Sequence, residues 1–202
     1  MNKQAVWTLM TVGACLIGLY ALASALVPSA RGDFVLNMID TNATGALAHF
    51  LGGAVVIIVG ALQFHAGLRK NRPALHRCLG RVYVIGVLIG GLAGLYLAFY
   101  SSGGLVAHWG FGSLAVCWLT ATGLAYQKIR AGQFRLHQDW MIRSYALTLG
   151  ALTLRLYLPM AQLAGITFDD AYPAIAWLSW VPNLIIAEWW LIPRSNRKAA
   201  AL

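Results

Sequence analysis

The stretch "RPALHRCLGRVYVIGVLIGGLAGLYLAFY", Arg72 to Tyr100, decides the fold class. It opens on three arginines and a histidine, then runs from Val82 to Tyr100 without a charge. Coiled as a helix at 1.5 Å per residue, such a run crosses a hydrocarbon core of ~30 Å. Comparable runs recur on both sides of it and predict six spans: Ala5–Leu26, Thr44–Ala66, Arg81–Tyr100, Val106–Tyr126, Trp140–Leu163 and Ala174–Ile192. The 202 residues are 59% hydrophobic and 10% charged, whereas a soluble domain solvates its surface with about a quarter charged residues. The expected fold is all-α, a polytopic membrane protein of six transmembrane helices in one domain over residues 1–202. The first span, 5–26, contains "ALASA" (Ala21–Ala25), which resembles a signal-peptide cleavage site. Its apolar run exceeds the usual signal core of about 7–15 residues, so a retained, peripheral anchor is expected.

Charge sets the orientation. Of 15 basic residues, 13 fall on one side of the six expected spans: Lys3; Arg69, Lys70, Arg72, Arg77 and Arg81; Lys128, Arg130, Arg135 and Arg143; Arg194, Arg197 and Lys198. The other side holds Arg31 with Asp33, Asp40, Asp169 and Asp170, and Arg155 lies within a span. This is the positive-inside pattern, with both termini cytoplasmic, so the net charge of +9 encodes topology and not nucleic-acid binding. Cys15 and Cys117 fall in spans and Cys78 in a cytoplasmic segment, so no disulfide is expected. There is no C-x-x-C-H for covalent haem, no Gly-rich phosphate loop, no H-E-x-x-H and no acidic residue in spans two to five. No pair of broken helices is expected either, since Pro159 and Pro182 fall near span ends.

A repeat runs through residues 44–163. "LHRCLGRVY" (Leu75–Tyr83) stands against "LHQDWMIRSY" (Leu136–Tyr145), each Leu-His followed by Arg-x-Tyr, and "LYL" returns at Leu95–Leu97 and Leu156–Leu158. Upstream, His49 opens "HFLGG" and His108 opens "HWGFG". Spans two to five thus read as two copies of one hairpin, forming a central four-helix bundle about a pseudo-two-fold axis along the membrane normal. Span six, 174–192, is expected at the periphery like span one. Such an axis would set His49 against His108 near the outer surface and His76 against His137 near the inner one.

Two imidazoles on facing helices supply both axial ligands of a haem iron. Glycines such as Gly52, Gly86, Gly90, Gly94, Gly110 and Gly150 would leave room for a flat ring. The anionic propionates call for arginine, for which Arg81 and Arg143 suit an inner haem and Arg155 an outer one. Six spans with one histidine on each of the central four resemble the two-haem transmembrane cytochromes of the b-561 type. That resemblance implies one haem b held by His49 and His108, a second by His76 and His137, and a membrane oxidoreductase drawing electrons from a quinol or small reductant. The strings "GALQF", "RPALHRCLGRVY" and "MIRSYALTLGALTLRLYLP", within Gly45 to Pro159, also resemble a family of bacterial membrane proteins, domain of unknown function 2306. Membership implies a place in the bacterial inner membrane and assigns no chemistry.

Blander readings stand beside these. The histidines could reach the interface or lipid phosphate, and His65, whose counterpart in the second copy is Leu124, could be interfacial or a substitute inner ligand. Arg155 could bond backbone carbonyls, the glycines could serve helix packing, and Glu188 and the repeated Tyr83, Tyr96, Tyr145 and Tyr157 could be interface anchors. Copper or another transition metal is an alternative cofactor, because imidazole suits several. A cofactor-free transporter or assembly protein is the third reading, and self-association into a homodimer stays open.

Overall fold

A computed structural model describes residues 3–192; Arg194, Arg197 and Lys198 lie outside the described residues. Among the described residues every regular element is helical. The chain divides into two compact units, residues 1–100 and 101–202.

The first unit holds α1 (Lys3–Leu26), α2 (Asp33–Gln63), α3 (Ala66–Asn71) and α4 (Pro73–Ala98). α2 begins eleven residues before the expected span but breaks inside: Asn42 leaves helical geometry at φ −159°, ψ 91°. Its Oδ1 accepts the Gly45 N–H at 2.6 Å, so Asn42 caps the membrane-length segment that follows. α4 likewise begins early, at Pro73, whose missing N–H costs nothing in a first turn. His76 therefore sits on a helix and not in a loop.

α2 packs on both α1 and α4. The α2–α4 contact is backbone on backbone: a Cβ at Gly52 would lie 2.9 Å from the Gly90 nitrogen, and one at Gly86 would lie 2.6 Å from Val56 Cγ2. The glycines of this hairpin are there for close helix approach, the usual means by which helices associate in lipid. Tyr83 and Ile57 lie fully inside. Trp7 on α1 donates from Nε1 to the Ala61 carbonyl at 3.1 Å, and Ala25, Val35, Ala46 and Phe50 form a core cluster between α1 and α2.

The second unit holds α5 (Gly104–Arg130), α6 (Phe134–Thr148), α7 (Gly150–Leu163), α8 (Phe168–Leu178), α9 (Val181–Ile186) and a π-helical turn, Ala187–Leu191. Its turns are written in glycine. Gly132 takes φ +71°, which lets Gln133 N–H reach back to the Lys128 carbonyl and end α5 in a Schellman cap. α5 packs on α6 and α8, and α7 on α8. A Cβ at Gly110 would lie 2.9 Å from that of Ala176, again a packing glycine.

Among the described residues four helices, α1, α2, α4 and α5, are long and apolar enough to cross a membrane. The expected fifth and sixth spans are divided, contrary to the expectation of unbroken helices. α6 and α7 meet at Leu149, which keeps right-handed angles (φ −66°, ψ −10°). α8 and α9 are parted more sharply at Trp180 (φ −127°, ψ −31°), and Pro182 opens α9 with no N–H to carry the ladder through. The two divisions touch, because a Cβ at Gly150 would lie 3.4 Å from the Trp180 Cβ and 3.5 Å from the Ser179 carbonyl oxygen.

Candidate functional site

Each unit carries two of the four repeat histidines, all on helices and all half-buried. In the first unit His49 lies mid-way along α2, and its Nδ1 stands 2.9 Å from the Gly90 carbonyl on α4. A carbonyl can only accept, so Nδ1 carries the proton and the lone pair of the neutral ring lies at Nε2. The ring rests over Gly94, where a Cβ would come within 2.9 Å of Nδ1. His76 is in the first turn of α4.

In the second unit His137 repeats that chemistry across α5 and α6: its Nδ1 donates to the Ala125 carbonyl at 2.9 Å. His108 is turned the other way, with Nε2 donating to the Ser101 carbonyl at 2.9 Å. Its lone pair therefore lies at Nδ1.

These tautomers test whether haem fits. A ligating histidine characteristically donates its second ring N–H to a carbonyl or carboxylate, which fixes the ring and leaves the other nitrogen to the metal. His49 and His137 have that arrangement, and each belongs to a different one of the two expected axial pairs. His108 would have to rotate off Ser101 to offer Nε2. Gly94 makes room for the His49 ring, whereas Gly52, Gly86, Gly90, Gly110 and Gly150 are taken up by helix contacts. His65 is placed elsewhere: exposed at the start of α3, it accepts the Leu68 N–H at Nδ1 (3.3 Å), with the Trp7 ring tilted against it at 4.8 Å.

The arginines divide three ways. Arg81 is exposed on α4. Arg155 donates to the Ala151 carbonyl one turn back at 3.0 Å, the backbone bond that its structural reading anticipates. Arg143 forms a two-pronged pair with Glu188 (Nε–Oε1 2.5 Å, Nη2–Oε2 3.0 Å) and lies 4.5 Å over the Trp140 ring. A propionate at Arg143 would compete with that carboxylate. Glu188, read from sequence as an interface anchor, is thus an ion-pair partner within the π-helical turn.

Several residues escaped the sequence reading. Asp139 is buried on α6, and its Oδ1 meets no donor. Burial pushes its carboxyl above the ordinary range, Arg143 and Arg135 pull it back, and Glu188 pushes it up again. Deeper in the unit runs a polar ladder. Trp118 Nε1 donates to Thr148 Oγ1 at 2.9 Å, the Thr122 and Ser144 hydroxyls meet at 2.7 Å, and Asn183 Nδ2 reaches Thr153 Oγ1 at 2.9 Å. Asn183 Nδ2 also donates to the Ser179 carbonyl at 3.0 Å, so one amide stitches the α8–α9 division to α7. The i,i+4 spacing of Asp139 with Arg143 and of Ser144 with Thr148 was the available signal.

Tyr83 and Tyr145, at matching places in the two Arg-x-Tyr motifs, are buried in the core of their units and are not interface anchors; Tyr96 is exposed, as that reading expects. Among the described residues no group of three or more His, Cys, Asp or Glu side chains comes together, so a multidentate copper site has no assembled ligand set. The family described as "Predicted membrane protein (DUF2306)" matches residues 46–191. No curated protein and no solved structure matches the chain.

Proposed function

This chain belongs to the DUF2306 family of predicted membrane proteins, and from that premise we propose that it is a b-type haem protein that moves electrons across the membrane. In this reading the chain crosses six times, α6–α7 and α8–α9 being divided spans, within one membrane domain whose termini both face the cytoplasm of a bacterial cell. Residues 44–163 form the two-fold hairpin repeat, and His49, His76, His108 and His137 are its axial ligands.

The observation that carries the reading is the shared bond of His49 and His137, each Nδ1–H held by a carbonyl of the neighbouring helix at 2.9 Å. Haem bound there supplies one-electron exchange at iron. The protein's part is to fix the imidazole rings, with Gly94 leaving space behind His49, and to supply cations for the propionates. Arg81 would do so directly, and Arg155 and Arg143 by exchanging Ala151 and Glu188 for a propionate. A quinol or small soluble reductant is the electron donor that a membrane cytochrome of this type would take.

The test is an oxidised and dithionite-reduced visible spectrum of the detergent-purified protein from haem-replete cells, with a pyridine haemochrome count. A low-spin b-type spectrum with two haems per chain, reduced by half in His49→Ala and by half in His137→Ala, supports two bis-histidine centres. A colourless protein overturns the reading.

One observation favours the transporter reading as second choice: the divided helices meet at Gly150, Ser179 and Trp180, and the Trp180 indole N–H is buried without an acceptor. Divided helices meeting inside a bundle are how many transporters place a substrate site. That reading expects a colourless protein whose His108→Ala variant keeps its function.

A further inference from the structure

We propose that the groove beside α3 in the first unit binds the phosphate headgroup of an anionic phospholipid. The groove encloses about 290 Å³ and is lined by His65, Gly67, Leu68, Asn71 and Arg72. It lies between the last residue of α2, Gln63, and the first of α4, Pro73, and so at the end of two membrane-length helices. That is the depth at which lipid headgroups sit.

The lining is built of donors. His65 accepts the Leu68 N–H at Nδ1, so its neutral ring carries the proton on Nε2. The Asn71 amide nitrogen lies toward Gly67, 4.0 Å from where a Cβ there would be. Arg72 adds a guanidinium, which can grip a phosphate with two parallel bonds. Lys70 on α3 and Arg77 near the start of α4 are exposed, while Arg69 is turned back to the Gln63 carbonyl at 3.4 Å.

Nothing in this unit competes for these cations. Its only acidic residues, Asp33 and Asp40, belong to the opposite end of α2, and no acidic residue occurs from 41 to 138. The second unit handles its basic end differently, giving Arg143 the internal carboxylate of Glu188. A cationic groove left uncompensated at headgroup depth fits an anion supplied by the membrane, with Leu68 as an apolar wall for the glycerol end. Each basic side chain near an anionic membrane contributes about 1 kcal/mol, equivalent to about a fivefold change in affinity.

The test uses the full chain, delipidated in neutral detergent and titrated separately with short-chain phosphatidylglycerol, phosphatidylcholine and inorganic phosphate, following the melting temperature. Phosphatidylglycerol should stabilise it at concentrations where phosphatidylcholine and inorganic phosphate do not. Arg72→Gln should weaken phosphatidylglycerol about fivefold, and Arg130→Gln, in the other unit, should leave it unchanged. Gly67→Val, whose Cβ would come within 2.9 Å of the His65 ring, should close the groove and weaken the lipid without removing a charge, and it carries the test if Arg72→Gln does not fold. Equal stabilisation by phosphatidylcholine, full protection by inorganic phosphate, or equal losses in Arg72→Gln and Arg130→Gln would each overturn the proposal.

Discussion

The α2–α4 pair of the first unit and the α5–α6 pair of the second are held together by different means. In the first, α2 and α4 approach until backbone meets backbone at Gly52 and Gly90, and the Val56 side chain lies on Gly86. In the second, α5 and α6 are joined by side-chain hydrogen bonds, Trp118 to Thr148 and Thr122 to Ser144, and α7 is tied to α9 through Thr153 and Asn183. Apolar surface gives helices no reason to associate inside lipid, since the tails are as apolar as leucine. What remains is close packing of small residues and hydrogen bonding across helices; α2 and α4 rely chiefly on the first, α5 and α6 on the second. The two solutions should fail differently: packing is lost all at once when a Cβ is added, while a hydrogen-bond ladder is lost one rung at a time.

The largest effect should come from Gly52→Leu. Its Cβ would fall 2.9 Å from a backbone nitrogen that cannot turn aside, so α2 and α4 must part. Overpacking of this kind costs about 3 kcal/mol, and losing the α2–α4 contact would carry the His49–Gly90 bond with it. Gly123→Leu, where nothing lies within 4 Å, is the control and should change little. Thermal unfolding in detergent reads both, and equal melting temperatures for the two variants would break the packing account of the first unit.

A rung of the ladder should cost less. Thr148→Val leaves the Trp118 indole N–H buried without its acceptor, for a loss of about 1–2 kcal/mol. Thr122→Val, which removes one partner of the rotatable Ser144 hydroxyl and a bond to the Trp118 carbonyl, should cost about 1 kcal/mol or less. If both variants melt with the wild type, the second unit is held by packing after all, and the contrast between the halves disappears.

How much of this was legible follows from the same contrast. Span length, charge bias and the histidine register are one-dimensional patterns; they located α1, α2, α4 and α5 and put His49 and His108 within spans, while His76 and His137, ahead of their expected spans, lie on helices that start earlier. The glycines were legible as small residues but not as to their neighbours. Gly94 faces a histidine ring while Gly90, four residues earlier on the same helix, faces backbone, and only the α2–α4 register separates them. Asp139 was lost among arginines, where a carboxylate looks like an exposed counter-ion; its burial depends on elements 50 residues further on. The division at Trp180 was masked by the apolar run around it, since Pro182 read as a span end.

Glu188→Gln should have a smaller effect again. The Arg143–Glu188 pair is well aligned, but its side chains are 22% and 38% exposed, so solvent screens it. A loss of on the order of 1 kcal/mol or less is expected, shrinking as salt is raised. Its sharper use is functional. Freed of Glu188, Arg143 becomes available to a propionate, so in the haem reading the inner centre should hold its cofactor more tightly in this variant. Haem retention during dilution into detergent measures that, and faster loss than in the wild type would assign Arg143 to structure alone.

The smallest effect should be the pH dependence contributed by Asp139, and its sign is unusual for a carboxylate. Burial is the main cause of its shift and raises it, so the folded protein binds the proton more tightly than the unfolded chain does. Between the ordinary aspartate value of about 3.9 and the raised one, the native state holds more protons, and stability falls as pH rises through that window. Above that window the cost of the charged, buried carboxylate is fully present. Acidification relieves it, unlike that of a salt-bridged aspartate, whose support is lost in acid. Arg143 and Arg135 pull the other way and keep the net effect small. Asp139→Asn should therefore melt slightly higher than wild type near neutrality and meet it as the pH falls toward about 4. Parallel melting curves across that range would mean that the two arginines compensate the carboxylate in full, leaving Asp139 as neutralised in the second unit as Arg143 is by Glu188.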